Sequence, residues 1–447
     1  MSSERLQEGR IRLDRKARHF EDDLELPHKT RSLDHGLPHA PATSHGTYLG
    51  GLNEDLEDLE FYQLGGYHPI HLGDELGPPG RYRVIHKLGH GGFGTVWLCR
   101  DSQASRYVAV KVMTADLSSD QILDLCLLEL DQAIPGADYI ALPLDRFSLT
   151  GPHGTHQCIA LPVFGPRVSP GFWHSMDMDP GAILRKMCLQ ATQALNFLHQ
   201  NGIYFRPANI LVKLANLDDL SEKEILSILG QPLKSEVLTE IGIDHPRSTP
   251  QYLVLPIDLT TLGPEYLTED ICLIDFGESF RTSDPPTNLG TPENYLPPEV
   301  FLRDEPDIGP YTDAWALGCT VFEIREQIPL FYMTYDEDDL LYEMACYFGR
   351  PPQNLWMQWE GRSDYFDANG QRLRKSDEAQ TFDKVLAHRI EILGDRQSDG
   401  KRRVAKTFSV PGKEQLVLKD LLLKIFKYDP KERASVKEVL EHEWFRV

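Results

Sequence analysis

Positive charge is scarce in this chain, and so are paired cysteines and long apolar runs. Lys and Arg number 46 against 68 Asp and Glu, a formal net charge of -22. That balance disfavours non-specific binding to nucleic acid or anionic membrane and suits basic partners or substrates. The seven cysteines are scattered, odd in number and never in C-x-x-C spacing. This points to free thiols in a reducing compartment rather than disulfides or a thiolate metal site. No apolar stretch approaches the ~18 residues of a membrane helix. The N-terminus, with Glu4, Glu8, Asp14, Glu21 and Asp22, lacks a signal-peptide core and is too acidic for a transit peptide. Cytoplasm and nucleus, and a monomer without nucleic-acid or membrane partners, are therefore expected. One further absence is local: no Asp or Glu occurs between Asp179 and Asp218.

What is present is ordinary globular material, 41% hydrophobic and 26% charged over 447 residues. That length predicts about two or three domain-sized units. Residues 1–54 mix both charges with His, Pro, Ser and Gly and show no sustained periodicity, which predicts a flexible tail. Strand-like alternation follows at Tyr82–Ile85, Thr95–Leu98 and Tyr107–Val112, then at Ile140–Leu144 and Gln157–Val163. After Pro170 the period changes. Ile183, Leu184, Met187, Ala191, Leu195 and Leu198 fall at helical spacing, and later helices are expected near Asp313–Glu323, Leu416–Phe426 and Ser435–His442. Strands first and helices second predict an α+β chain of two packed lobes, about 81–163 and 170–447. Within the second lies a segment of about 213–269 with its own helix signal, Ser221 and Glu224 forming a capping box and Gly230 the stop.

Three motifs carry chemistry. Leu88-Gly89-His90-Gly91-Gly92-Phe93-Gly94-Thr95-Val96 places glycines where bare backbone approaches phosphates closely. A dinucleotide turn would require a helix after the glycines, whereas Thr95-Val96-Trp97-Leu98 continues as strand. An ordinary glycine-rich hairpin is the competing reading. Val108-Ala109-Val110-Lys111 ends a strand on a lysine and resembles the V-A-I-K run of kinases, which implies phosphate contacts for Lys111 and a carboxylate partner, Glu129 being expected and Asp124 the alternative. Ile274-Asp275-Phe276-Gly277 offers a carboxylate for Mg²⁺ ahead of Pro297-Pro298-Glu299. The resemblance of these runs to protein-kinase motifs implies that Glu299 pairs with Arg433 as a brace and that Asp313 to Gly318 form a helix beneath the site.

In that order the motifs resemble a protein kinase, and within kinases the SR-protein kinases of the fungal branch. Gly65-Gly66-Tyr67-His68-Pro69-Ile70, Lys87-Leu88-Gly89, Gly154-Thr155-His156-Gln157-Cys158 and Gly290-Thr291-Pro292-Glu293-Asn294-Tyr295 carry the likeness. The insertion ahead of Asp-Phe-Gly is similar too. From about Asp55 onward, the resemblance implies a bilobal kinase domain over 55–447. It implies ATP held by Leu88, Gly89, Gly91, Gly94, Val96, Ala109, Lys111 and Glu129. It further implies Mg²⁺ held by Asn209 and Asp275, Arg/Ser-rich protein substrates phosphorylated on serine, and partners in mRNA processing.

One segment departs from that pattern. In H-R-D-L-x-x-x-N the catalytic Asp lies five residues before the Asn, which puts Tyr204 in its place and Gly202 in that of the His. A phenol with a pKa near ~10 is a poor proton acceptor at neutral pH. Alternatively, Gly202-Ile203-Tyr204 is the strand before the loop, and a His-x-Asp block is missing between Tyr204 and Phe205. Arg206 stands where kinases have a lysine against the transferred phosphate, and Arg brings a planar fork in place of a point charge. An active kinase, a pseudokinase scaffold that binds nucleotide or basic partners, and a gene-model deletion are the readings this leaves.

Overall fold

The computed structural model describes residues 42–48, 55–117, 127–169, 171–172, 180–205, 209–215, 217–239, 247–277, 279–281, 289–303, 308–332, 334–373, 380–396 and 402–447. Alternating β-branched and aromatic residues build the first layer. Strands β1 (Glu75–Leu76), β2 (Tyr82–Gly91), β3 (Gly94–Asp101), β4 (Arg106–Met113), β5 (Asp145–Gly151) and β6 (Gly154–Leu161) form one antiparallel sheet in the order β1-β2-β3-β4-β6-β5. Val84, Trp97, Val108 and Val110 pack in one buried cluster, while Ile85, Leu98 and Tyr107 belong to another. The alternation is thus buried on both faces, and something must cover the second.

The strand expected at Ile140–Leu144 is displaced to Asp145–Gly151. Ile140 makes only an isolated parallel bridge to Leu273 and joins the helical lobe's core. Pro143 offers no N–H to a ladder, and the half-exposed alternation of Asp145–Gly151 suits the sheet's edge.

The second lobe is helical. Strand β7 (Phe164–Arg167) leads across to helix α1 (Pro180–Gln200), whose Leu184, Met187, Cys188, Ala191, Leu195 and Leu198 are buried on one stripe. Short strands β8 (Ile203–Tyr204) and β9 (Ile210–Leu214) follow. The inserted segment holds α2 (Glu222–Leu229), β10 (Lys234–Glu236) and β11 (Tyr252–Val254). Strand β12 (Leu267–Leu273) returns to pair with β9, and β13 (Phe280–Arg281) pairs with β8. Helices α3 (Pro298–Leu302), α4 (Pro310–Glu326), α5 (Glu337–Phe348), α6 (Gln353–Gln358) and α7 (Phe382–Leu386) come next. The hairpin β14 (Ile390–Arg396) and β15 (Arg402–Phe408), then α8 (Gly412–Ile425) and α9 (Val436–Leu440), complete the lobe. Helix α4 is buried almost all round, and its buried Asp313 and Arg325 are paired with His199 and Glu414. It packs against both α1 and α8. Arg433 donates both terminal nitrogens to Glu299 at 2.6 Å, and both side chains are buried.

The inserted segment leaves and returns through the Leu214–Leu267 pair of β9 and β12. In between it docks on the first lobe. Tyr107 donates its amide to the Asp218 carboxylate at 2.8 Å and its hydroxyl to the Leu220 carbonyl at 2.9 Å. Ile257 N–H bonds the Lys87 carbonyl at 3.0 Å. Ile225 of α2 is buried among Ile85, Leu98 and Tyr107, supplying the missing cover for the sheet's second face. Of the expected tail only residues 42–48 are described, and there the expectation needs correction: Tyr48 is 1% exposed, bridges to Thr239 and packs with Leu59, Tyr62, Tyr67, Val237 and Leu253, while 1–41 and 49–54 lie outside the described residues.

Candidate nucleotide and phosphoryl-transfer site

The turn between β2 and β3 carries the glycines. A Cβ on Gly89, Gly91 or Gly92 would meet nothing within 4 Å, so open space fronts this backbone. Gly94 has a different reason: at φ 147° it lies so close to the Val112 carbonyl that a Cβ would collide with it. Val96 pairs across the ladder with Gly89 on one side and Lys111 on the other. The register thereby sets the lysine directly behind the glycine turn. Leu88 is half-buried beside Val163, Ile257 and Leu259, and Ala109 is buried.

Lys111 ends this construction in an ion pair. Its Nζ lies 2.6 Å from Asp275 Oδ1 and 6.0 Å from the centroid of Phe93 at the turn's tip. The expected partner is corrected accordingly: Glu129 is exposed on a 3₁₀ turn, Leu127–Glu129, and makes no pair with Lys111. Leu127 on that turn is buried in the helical lobe's core, which draws its neighbour Glu129 away from the lysine. Asp124 lies outside the described residues. Asp275 adopts φ 64°, a left-handed backbone that non-glycine residues rarely take, and such outliers cluster at functional sites. Phe276 beside it is fully buried against Phe205, ring centroids 4.6 Å apart.

Asn209 is tied to the same strand pair, its carbonyl accepting the Ile274 N–H at 3.0 Å. This sets Asn209 and Asp275 in one cavity of about 160 Å³, together with Tyr204, Thr291 and Asp313. That is room for a phosphoryl group and an acceptor side chain, not for a whole nucleotide. Arg167, which carried no signal in the sequence, reaches Asn209 Oδ1 at 3.4 Å. From below, Asp313 Oδ2 accepts the Phe205 N–H at 2.9 Å and lies 2.9 Å from His199 Nε2. Asp313 thus anchors the loop through its backbone, as the helix expected beneath the site requires. Arg206 lies outside the described residues.

Tyr204, the residue in the catalytic-aspartate position by ungapped count, is a strand residue. It pairs with Phe280 in β8–β13, and its ring makes edge contacts with His199 and Phe280 at 5.6 and 5.5 Å. The donor set suits ATP and Mg²⁺. Carboxylate and amide oxygens of Asp275 and Asn209 are the hard ligands Mg²⁺ prefers, Lys111 supplies a cation for phosphates, and the glycine turn leaves space for them.

Residues 265–445 match the family model described as protein kinase domain. Serine/threonine-protein kinase SRPK of Physarum polycephalum is 26% identical over 408 residues, covering 86% of this chain and 90% of that protein. SRSF protein kinase 3 of Homo sapiens is 34% identical over 175 residues, or 37% of this chain. There the match spans only 30% of the human protein's length. A solved kinase-domain structure superposes with a TM-score of 0.53 at 19% identity, covering 85% of this chain and 98% of that one. The chain has the protein-kinase fold.

Proposed function

We propose that this chain, which has the kinase fold and SR-protein kinases among its homologues, binds MgATP between its lobes for phosphoryl transfer to serine in Arg/Ser-rich proteins. The observation that carries the reading is the Lys111–Asp275 pair behind an open glycine turn, with Asn209 lining one cavity with Asp275. Lys111, Gly89, Gly91 and Gly94 would hold phosphates, while Asn209 and Asp275 would hold Mg²⁺. Bound Mg²⁺ would neutralise charge developing on the phosphoryl oxygens. The chain's own contribution is positioning, and positioning supplies most of catalysis in this chemistry.

Among the described residues, proton acceptance is the step without an evident owner. Tyr204 is held in β8 by two aromatic neighbours, and Asp313 is occupied with the Phe205 amide and His199. This favours a second reading: a protein that binds nucleotide and basic partners but transfers phosphate slowly. Losing a general base typically costs ~10²–10⁴ in rate.

The test compares this chain with a version carrying His-x-Asp inserted after Tyr204. Phosphate transfer to an Arg/Ser-repeat peptide is expected to rise about a hundredfold or more in the insertion variant, with MgATP affinity little changed. Equal transfer rates in both proteins would remove the missing base as the explanation. No MgATP binding in either would remove the nucleotide reading itself.

A further inference from the structure

The glycine turn is held from outside by a segment preceding the sheet. Tyr67 donates its hydroxyl to the carbonyl of Gly91 at 2.9 Å, across 24 residues of sequence. His90 Nε2 lies 3.2 Å from the Asp55 carbonyl, and Lys87, just before the turn, forms a buried ion pair with Glu57. Glu57 in turn accepts the Tyr62 hydroxyl at 2.8 Å. Three residues of one short segment, Asp55, Glu57 and Tyr67, therefore reach the strand end that carries the glycines.

Tyr67 is itself fixed. Gly65 N–H bonds the His153 carbonyl at 2.8 Å, and the Gly65 and Gly66 carbonyls accept the amides of Asp116 and Ala115. The Tyr67 carbonyl lies 2.6 Å from His153 Nδ1. A Cβ on Gly66 would collide with the Phe61 carbonyl, so the Gly65-Gly66-Tyr67 turn closes only with glycine there. Its ring packs with Val237 and Leu253 of the inserted segment. The phenol is thus presented by a rigid turn that is sewn to β4's end and to the β5–β6 hairpin.

We infer that Tyr67 is a positioning residue for the nucleotide site, acting through Gly91. In a trans peptide the C=O and the following N–H point in opposite directions. Fixing the Gly91 carbonyl on Tyr67 therefore aims the Gly92 N–H away from Tyr67. Glycine backbone otherwise samples many orientations, and each must be lost when phosphate binds. Tyr67 removes part of that loss beforehand. The inference rests on the nucleotide reading above.

Tyr67→Phe keeps the packed ring and deletes only the hydroxyl. Tyr48→Phe is the comparison, since Tyr48 lies in the same cluster but bonds the Tyr62 carbonyl instead of the turn. Two measurements are made on the full chain: amide hydrogen exchange over residues 88–95 without nucleotide, and MgATP titration. Tyr67→Phe is expected to speed exchange in the turn and weaken MgATP binding roughly fivefold, the worth of one neutral hydrogen bond. Tyr48→Phe is expected to do neither. Unchanged exchange in Tyr67→Phe, or equal effects in both variants, overturns the inference. If the unaltered chain binds no MgATP, the nucleotide reading fails, whereas the exchange comparison still decides whether Tyr67 holds the turn.

Discussion

His68, next to Tyr67, shows how much one residue's surroundings decide. Its ring packs 5.0 Å from that of His156, and its Nδ1 is buried without a hydrogen-bond partner. Burial, then the neighbouring His156 and His153, push its pKa down from 6.5 to about 4. His156 is lowered as well, chiefly by burial. In the unfolded chain the imidazole charges near its ordinary value, so between 6.5 and about 4 the unfolded state binds a proton that the folded state refuses. Stability contributed here is complete above that window and falls as pH falls through it. Urea midpoints measured across the window should decline, and His68→Leu should flatten the decline in part, since His156 remains. A slope untouched by the substitution would show that this ring does not titrate as its burial requires.

At the scale of elements, local signals and packing agree unusually well in α2. Ser221 accepts from the Glu224 amide, Glu224 reaches back to the Ser221 amide at 2.8 Å, and Gly230 closes the helix at φ 88°. An eight-residue helix is marginal alone, so its persistence depends on Ile225 entering the cluster with Ile85, Leu98 and Tyr107. Ser221→Ala should cost about 1 kcal/mol of local stability. That loss should appear as faster amide exchange over 222–229, with the helical lobe unchanged. Slower elements offered weaker signals. The run at Ile140–Leu144 has strand composition, yet its apolar side chains serve the helical lobe and the ladder begins only at Asp145. Glu129 had the right chemistry for Lys111, but the burial of Leu127 in the other lobe places it elsewhere.

Across the whole molecule, acidity and architecture bear on different questions. The net charge of -22 creates a field that attracts basic chains over a distance set by salt. Binding of an Arg/Ser-repeat peptide should therefore weaken about tenfold or more between about 50 and about 500 mM NaCl. Affinity indifferent to salt would instead place recognition in short-range contacts. The architecture ties three separated stretches of sequence together around the first lobe: residues 42–48 with 55–67, the sheet, and the inserted segment.

Much of this was legible in the sequence because it depends on local rules. Helical spacing in α1, the glycines of the turn, the capping box of α2 and the Glu299–Arg433 brace each follow from residue type at short range or from ordered motifs. The chain by itself also determined that no carboxylate lies between Asp179 and Asp218, and hence that the loop before Asn209 has no acid of its own. Tertiary structure alone decided that Asp275 meets Lys111, because it arrives from 164 residues away. It alone decided that the inserted segment covers the first lobe, and that Tyr48 is packed where composition suggested a loose tail. Those outcomes turn on which apolar surfaces remain uncovered once the lobes form, and no local pattern encodes that remainder.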